Sequence, residues 1–270
     1  MIITLTTDFG TADGFVGAMK GVILSIAPHV QVVDITHEIP PCDILAAALT
    51  LETACGYFPK GTIHIAIVDP GVGSTRSAIG VQTDNFLFVG PDNGIFELAI
   101  SAELRRNPNA VLVDGRTVRL SDPSFHRPNP SDTFHGRDIF APVAAWLANG
   151  NLLESMGESQ AGRERLNISS PRETRDGLEI HVLRADRFGN LITDLTLENF
   201  QRWNPDARSA RIEVAGKFIG GLLRTYSDVA PSGPLAYFGS GGRLELAINR
   251  GNAAQALKLS AGDSIRVRLD

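Results

Sequence analysis

The loop formed by residues 69–76 holds the side chains of this chain best placed to do chemistry. It follows residues 63–68, an apolar run without a polar face, which predicts a parallel-sheet strand buried on both sides. Open α/β sheets bind their ligands just beyond the carboxyl ends of such strands, and Asp69 stands at that point. Two glycines permit a tight turn that brings back the positive charge of Arg76. Taken alone, the loop also fits a surface turn with an exposed Asp–Arg pair.

Two further polar segments are predicted to follow strands of the same sheet. Asp8 and Asp13 come after the first strand, where a carboxylate can accept two hydrogen bonds from a ribose diol. Asp13 is also suited to cap the helix that follows. Further along, Phe134 and His135 precede a glycine and a helix start, so that the imidazole can face the same crevice. An aspartate, an arginine and a histidine gathered there could bind and deprotonate a water molecule.

A third segment of this kind, residues 34–43, contains His37 beside a predicted strand end. Pro40 and Pro41 impose an extended connection on it. A lone histidine in such a position is more often a hydrogen-bonded structural residue than a ligand. We therefore assign His37 no catalytic role.

Size and composition limit the class of protein. With 270 residues the chain has room for one large domain or two modest ones. The formal charge of −5 comes from interspersed acidic and basic residues, so no basic block indicates nucleic-acid binding. Two cysteines are too few for a disulfide framework, and neither a signal peptide nor a run of the ~20 apolar residues that span a bilayer is evident. We expect a soluble, cytoplasmic globular protein.

The first half of the chain alternates predicted strands and helices, which is typical of an N-terminal doubly wound α/β domain. Asp43 is predicted to cap the second helix, because its carboxylate can accept the unpaired N–H groups of the first turn. Pro142 is tolerated near the start of the last helix. The predicted strands are residues 2–6, 30–35, 63–68, 78–83 and 86–89, and the predicted helices are residues 14–25, 45–54, 94–100 and 137–148.

The second half consists of short alternating runs separated by Gly, Pro and Asn, which predicts a small C-terminal β-barrel-like domain. The polar stretch before it predicts a linker between domains. We place the first domain at residues 1–160, the linker at 161–174 and the second domain at 175–270. The predicted strands are residues 178–183, 210–214, 235–238, 243–249 and 264–269, with one helix at 252–259.

One turn of the second domain, residues 185–190, also carries side chains that suit a nucleoside. Phe188 could stack on a base, and Asn190 could hydrogen-bond to its edge. A hairpin turn explains the same residues without a ligand, because it needs the glycine between them.

Seven segments together resemble the S-adenosyl-L-methionine hydroxide adenosyltransferase family, also called the adenosine-forming S-adenosylmethionine hydrolases. That family is related to enzymes that attack the same substrate with fluoride or chloride. The resemblance covers nearly the whole chain and implies displacement at the ribose C5′ by water, which gives adenosine and L-methionine without a cofactor or metal. The segments are TTDFGTADGFVGAMKG, DITHEIPPCD, FPKGTIHIAIVDPGVGSTR, GPDNG, TFHGRDIFAPVAA, DRFGNLITD and LELAINRGNAA.

The Asp–Arg–His trio of the family falls on Asp69, Arg76 and His135. For this reaction we expect Asp69 and His135 to hold the attacking water and accept its proton, directly or in relay, while the opposite charge of Arg76 keeps Asp69 ionised. The halogenating relatives have a tyrosine in place of Asp69, and the fluorinating ones have a serine in place of Gly136. Both differences favour water over halide as the nucleophile.

The resemblance also implies the substrate contacts. Asp8 matches the carboxylate on the ribose diol, and Asp13 and Asp186 match groups near the methionine ammonium. The residues that match those around the adenosine are Phe134, Phe188 and Asn190.

The methionine carboxylate meets a Ser–Arg pair in the relatives. Here Ser240 is present, Gly241 stands where the arginine would be, and Arg243 follows two residues later. The site of the relatives lies between neighbouring subunits of a trimer, so the resemblance implies a homotrimer. A chloride-dependent halogenase, a non-catalytic S-adenosylmethionine- or adenosine-binding protein and a metal-dependent nucleoside hydrolase are the alternative functions.

Overall fold

The structure, a computed structural model, describes residues 1–107, 109, 115–206, 209–214 and 216–269. It divides into two compact units, Met1–Leu166 and Asn167–Asp270, and this division falls inside the segment 161–174 that the sequence predicts as a linker. Within the described ranges, no helix has the length and apolar character that crossing a membrane requires.

A seven-stranded mixed sheet forms the centre of the first unit. Its strands run parallel in the half β2-β1-β3-β5 and antiparallel in the half that contains β4, β6 and β7. The doubly wound arrangement therefore describes only the parallel half. β4 and β5 form a hairpin because the connection between them is far shorter than the dozen or so residues that a parallel crossover needs. In chain order, β1–β7 are Ile2–Thr7, Gln31–Thr36, Ile63–Ile67, Ala78–Gln82, Leu87–Pro91, Arg116–Leu120 and Gly157–Ser159, and their spatial order is β2-β1-β3-β5-β4-β6-β7.

β3 lies between β1 and β5 and is buried over its whole length, which confirms the prediction made from its apolar run. Because its two neighbours run parallel to it, the carboxyl ends of all three strands lie at one edge of the sheet. The loops that follow β1 and β3 consequently start side by side, which is the placement that a strand-end ligand site requires.

Helices cover both faces of the sheet. One face carries the first and last helices, which share a hydrophobic core with β1 and β3. The other face carries the second and third helices, which pack on β4 and β5. In chain order, α1–α4 are Phe15–Ile26, Ile44–Ala54, Glu97–Arg106 and Ala141–Ala148, and a π-helical turn, Gly136–Phe140, leads into α4.

The two predicted helix caps have opposite outcomes. The Asp43 carboxylate accepts a hydrogen bond from the backbone N–H of Ala46 at 2.8 Å, which confirms that Asp43 caps α2. The predicted cap of α1 by Asp13 is wrong, because Gly14 occupies the cap position and no side-chain cap bond is made there. Asp13 is exposed instead.

The second unit is an eight-stranded antiparallel sheet, and a bridge between Leu222 and Ala236 brings it close to a closed barrel, as the sequence predicts. The sequence does not reveal its strand Leu191–Thr196, because the buried polar residues Thr193 and Asp194 break the apolar alternation. In chain order, β8–β15 are Arg172–Thr174, Gly177–Ala185, Leu191–Thr196, Ala210–Val214, Lys217–Gly221, Pro234–Phe238, Arg243–Ile248 and Ser264–Leu269; α5 and α6 are Leu197–Trp203 and Ala253–Leu257.

Removing the cap of α2 tests whether the Asp43 carboxylate stabilises the first unit. We expect Asp43→Ala to lower the free energy of unfolding by about 1 kcal/mol, because the N–H of Ala46 loses its acceptor. Asp43→Asn keeps an acceptor oxygen and should cost much less. In a Trp203→Phe background Trp146 is the one remaining tryptophan, so its fluorescence during urea denaturation reports the unfolding of the first unit. Equal losses for the two variants would contradict the capping role.

Candidate active site

Asp69 begins the loop at the carboxyl end of β3, as the sequence predicts. The loop turns tightly, with the backbone N–H of Val72 bonded to the carbonyl of Asp69 at 3.2 Å. Gly73 has a φ of +75°, and a Cβ there would lie 2.6 Å from the backbone oxygen of Asp132. Only glycine therefore lets this loop approach the segment that carries His135.

The structure brings Asp69, Arg76 and His135 into one hydrogen-bonded group. The Nε of Arg76 donates to Oδ1 of Asp69 at 2.9 Å, and its Nη2 donates to Oδ2 of the same carboxylate. The same Nη2 lies 2.9 Å from Nδ1 of His135. The side chains of Asp69 and Arg76 are only 6% and 11% exposed, so this is a buried pair rather than the exposed pair of a surface turn. Phe140 packs under the guanidinium, 5.4 Å from its central carbon to the ring centre.

The contact with Arg76 determines which ring nitrogen of His135 carries the proton. A guanidinium has donors and no acceptor, so Nδ1 of His135 must offer its lone pair and the ring proton stands on Nε2. Burial, followed by the positive charge of Arg76, lowers the pKa of His135, although the carboxylate of Asp69 opposes the shift. His135 is consequently a neutral imidazole that presents an N–H donor at Nε2.

Asp138 holds the backbone that carries His135. Its carboxylate is almost completely buried and lies in the π-helical turn directly after the histidine. Such turns occur frequently at functional sites. The carboxylate accepts hydrogen bonds from the side chain of Arg137 at 2.7 and 2.8 Å, the side chain of Arg127 at 3.2 Å and the backbone N–H of Ser131 at 2.9 Å.

Gly136 is tightly enclosed. A Cβ at this position would meet Ile67, Met19 and Phe134 at 3.2 to 3.3 Å. A serine would therefore need its neighbours to move before its hydroxyl could be accommodated, and the structure offers no halide-binding hydroxyl at this position.

A cleft of about 220 Å³ opens beside the trio and contains two more predicted residues, Asp8 and Phe134. Oδ2 of Asp8 accepts a hydrogen bond from the backbone N–H of Cys42 at 2.9 Å. Asp13 is not among the cleft residues. The sequence reasoning missed several lining residues, although each is adjacent or close in sequence to one that it named: Phe9, Cys42, Val72 and Thr133.

Three predicted residues of the second unit form one turn. Oδ1 of Asp186 accepts from the backbone N–H groups of Phe188 and Asn190, both at 2.8 Å, and Oδ2 accepts from Nδ2 of Asn190 at 2.9 Å. This confirms the turn interpretation, and it leaves the Phe188 ring 74% exposed. Asn190 also donates to the hydroxyl of Tyr226 at 3.0 Å, a contact that no short-range sequence signal indicates.

Ser240 is exposed at the turn between β13 and β14. Arg243 is 6% exposed and directs its guanidinium at the backbone oxygens of Thr193 and Asp194, at 3.5 and 3.4 Å. The Arg243 side chain is therefore not on the surface, where it could replace the arginine that the relatives have at the position of Gly241. Across the described residues, no three His, Cys, Asp or Glu side chains group in a way that could hold a metal ion.

Comparison with known proteins identifies the family. Residues 3–157 match the model of the SAM hydroxide adenosyltransferase N-terminal domain, and residues 180–266 match that of the C-terminal domain. The (R)-S-adenosyl-L-methionine hydrolase of Salinispora arenicola is 38% identical over 98% of this chain and 97% of its own length. A fluorinase of Nocardia brasiliensis is 26% identical over 99% and 97%. The crystal structure of an uncharacterized conserved protein from Thermotoga maritima matches with a TM-score of 0.84 and 34% identity over 99% of both chains. The chain belongs to the SAM hydroxide adenosyltransferase family.

Proposed function

We propose that this protein hydrolyses S-adenosyl-L-methionine to adenosine and L-methionine. The observation that carries the proposal is the hydrogen-bonded Asp69–Arg76–His135 group beside the cleft. The name of the Salinispora relative supports the same reaction. An acid at position 69 and a crowded glycine at position 136 favour water over halide as the nucleophile.

The chemistry requires an oriented water and no acid. The water oxygen forms a bond to C5′ while the C5′–S bond breaks and its electron pair passes to sulfur. The sulfonium thereby leaves as the neutral thioether of methionine. The protein must place the water in line with the breaking bond and take its proton, and such placement accounts for a large part of a typical rate enhancement.

Asp69 is the proton acceptor in this mechanism. Each of its oxygens accepts one N–H of Arg76 and keeps a second lone pair for the water. His135 cannot take the proton at Nδ1 without giving up its contact with Arg76, and its Nε2 is already protonated. The Nε2–H instead orients the water by donating to its oxygen.

Substrate binding follows the residues implied by the family. We propose that Asp8 accepts the ribose hydroxyls with the carboxylate oxygen that Cys42 leaves open, and that Phe134 lies against the adenosine. Asp13 and Asp186 are the proposed ammonium contacts. The remaining proposed substrate contacts are Phe188, Asn190 and Ser240.

We also propose a cytoplasmic homotrimer that uses neither metal nor cofactor. Both cysteines are free in the structure, as expected in a reducing compartment. Light scattering should give three times the mass of the 29.0-kDa chain. A monomer mass at enzymatically active concentrations would contradict the trimer.

Product analysis tests the function. Purified protein is incubated with S-adenosyl-L-methionine, with and without chloride and a chelator, and the products are separated by chromatography. We expect adenosine and methionine under every condition. A chloride-dependent 5′-chloro-5′-deoxyadenosine would indicate a halogenase, free adenine lost on chelation would indicate a nucleoside hydrolase, and binding without products would indicate a sensor.

The charge of Asp69 is expected to be essential. Asp69→Asn should lower kcat by about 10²–10⁴, the usual contribution of general-base assistance. Asp176→Asn, an exposed turn residue, is the control and should keep the wild-type rate. A wild-type rate for Asp69→Asn would show that Asp69 takes no proton.

The pKa of His135 predicts the acid side of the pH profile. Because burial and Arg76 lower this pKa from 6.5, the ring stays neutral as the pH falls through 6.5 and becomes protonated only below it. Protonation then breaks the contact with Arg76. We expect kcat/KM to stay constant as the pH falls to 6.5 and to decline only below that value. His135→Gln keeps an acceptor that cannot titrate, so it should lack this part of the fall; a wild-type midpoint above pH 6.5 would contradict the account.

A further inference from the structure

Strand β1 contains three buried threonines, and two of them, Thr4 and Thr7, are each paired with a buried histidine. Oγ1 of Thr4 lies 2.7 Å from Nδ1 of His64, and Oγ1 of Thr7 lies 2.8 Å from Nδ1 of His37. Both threonines are fully buried. Since residues 4 and 7 are three apart in a strand, their side chains point to opposite faces of the sheet. The two pairs have the same local chemistry and different surroundings.

The pair Thr4–His64 ends in the hydrophobic core. The rings of Phe58, Phe86 and Phe88 surround His64 with centroids 5.0 to 5.5 Å away. Burial lowers the pKa of His64 to about 3, so the ring is neutral. Among the described residues its Nε2 has no hydrogen-bond partner. This pair links β1 to β3 and leads to no charged group.

The pair Thr7–His37 continues to charged residues. Nε2 of His37 lies 3.1 Å from Oδ1 of Asp34, an electrostatic contact without the geometry of a hydrogen bond, and Oδ2 of Asp34 accepts a hydrogen bond from Lys20 at 2.6 Å. Partial burial raises the pKa of Asp34, but the hydrogen bond from Lys20 and the proximity of His37 outweigh it and bring the pKa below its usual value. Asp34 is therefore an ionised carboxylate that can only accept.

The negative charge of Asp34 favours one placement of the ring proton on His37. In the neutral ring of His37, the nearby charge of Asp34 favours the tautomer with the proton on Nε2, in which Nδ1 accepts from the hydroxyl of Thr7. The oxygen of Thr7 is then free to accept the backbone N–H of Phe9 at 3.2 Å. The chain of contacts runs from Lys20 through Asp34, His37 and Thr7 to the backbone of Phe9.

Backbone contacts connect the same two segments. The N–H of Gly10 donates to the carbonyl of His37 at 2.8 Å. The N–H of Cys42 donates to the carboxylate of Asp8 at 2.9 Å. Asp8, Phe9 and Cys42 all line the cleft. The contacts made by His37 and Thr7 thus lie directly behind one wall of the candidate site.

We propose that His37 is a positioning residue, which through Thr7 holds Asp8 and Phe9 in the conformation that binds the ribose of the substrate. The proposal rests on the proposed function, because it needs Asp8 to contact S-adenosyl-L-methionine. His37 does not touch the reacting atoms. Its effect should therefore fall on substrate binding rather than on the chemical step.

Matched threonine variants separate this role from simple stability. Thr7→Val removes the hydroxyl with little change in shape and should raise KM about five- to tenfold with kcat within twofold, the effect of one lost buried hydrogen bond. Thr7→Ser keeps the hydroxyl and should restore KM. Thr4→Val breaks the equivalent bond to His64 and should lower the melting temperature while leaving KM unchanged. A KM rise for Thr4→Val as large as that for Thr7→Val, or an unchanged KM for Thr7→Val, would overturn the proposal.

Two further measurements make the test specific. Asparagine places an oxygen near the position of Nδ1, so His37→Asn should raise KM less than His37→Leu does. In an Asp8→Asn background, Thr7→Val should raise KM little further, because both variants act through the contact of Asp8 with the ribose. Fully additive effects of the two variants on KM would overturn the proposal. The affinity for S-adenosyl-L-methionine by calorimetry gives the same comparison without turnover. Wild-type binding without hydrolysis would contradict only the proposed function, whereas no binding at all would overturn both proposals.

Discussion

The candidate site depends on one guanidinium. Arg76 donates two parallel hydrogen bonds to Asp69 and one to His135, so a single rigid fork fixes the direction of the carboxylate and the tautomer of the ring. Because the pair is buried, losing Arg76 would leave an unpaired charge in the interior, at a cost of several kcal/mol. The two loops can meet around it only because Gly73 passes within contact distance of Asp132.

The charges of this group suit the proposed substrate. The negative charge of Asp69 cancels the positive charge of Arg76, and His135 is neutral, so the trio adds no net charge to the cleft. Asp8, which also lines the cleft, adds a negative charge. A sulfonium cation can therefore enter without meeting an uncompensated positive charge. Its charge is lost as the C5′–S bond breaks, and a dry cleft of low polarity favours that loss.

Sequence patterns were sufficient for the residue that directly follows the buried strand β3 and for the cap of α2 by Asp43. The buried run of β3 placed Asp69 at the sheet edge, and the segment around His135 supplied the ring that meets Arg76. The same reasoning did not predict the antiparallel half of the sheet, the exposed Asp13 or the π-helical turn after His135. The antiparallel half depends on pairings between segments that are distant in sequence, such as β4 with β6. No short-range sequence pattern indicated the role proposed for His37, because its partners Thr7 and Asp34 lie far along the chain from Asp69, Arg76 and His135.

Isotope transfer in a single turnover tests the central claim, that Asp69 activates a water molecule rather than attacking C5′ itself. Enzyme in excess over S-adenosyl-L-methionine is allowed to react once in water enriched in ¹⁸O, and the products are analysed by mass spectrometry. The account predicts that the 5′-oxygen of adenosine carries the label in this first turnover and that methionine carries none. Unlabelled adenosine would mean that its oxygen came from the carboxylate through an ester intermediate, and that result would contradict the account.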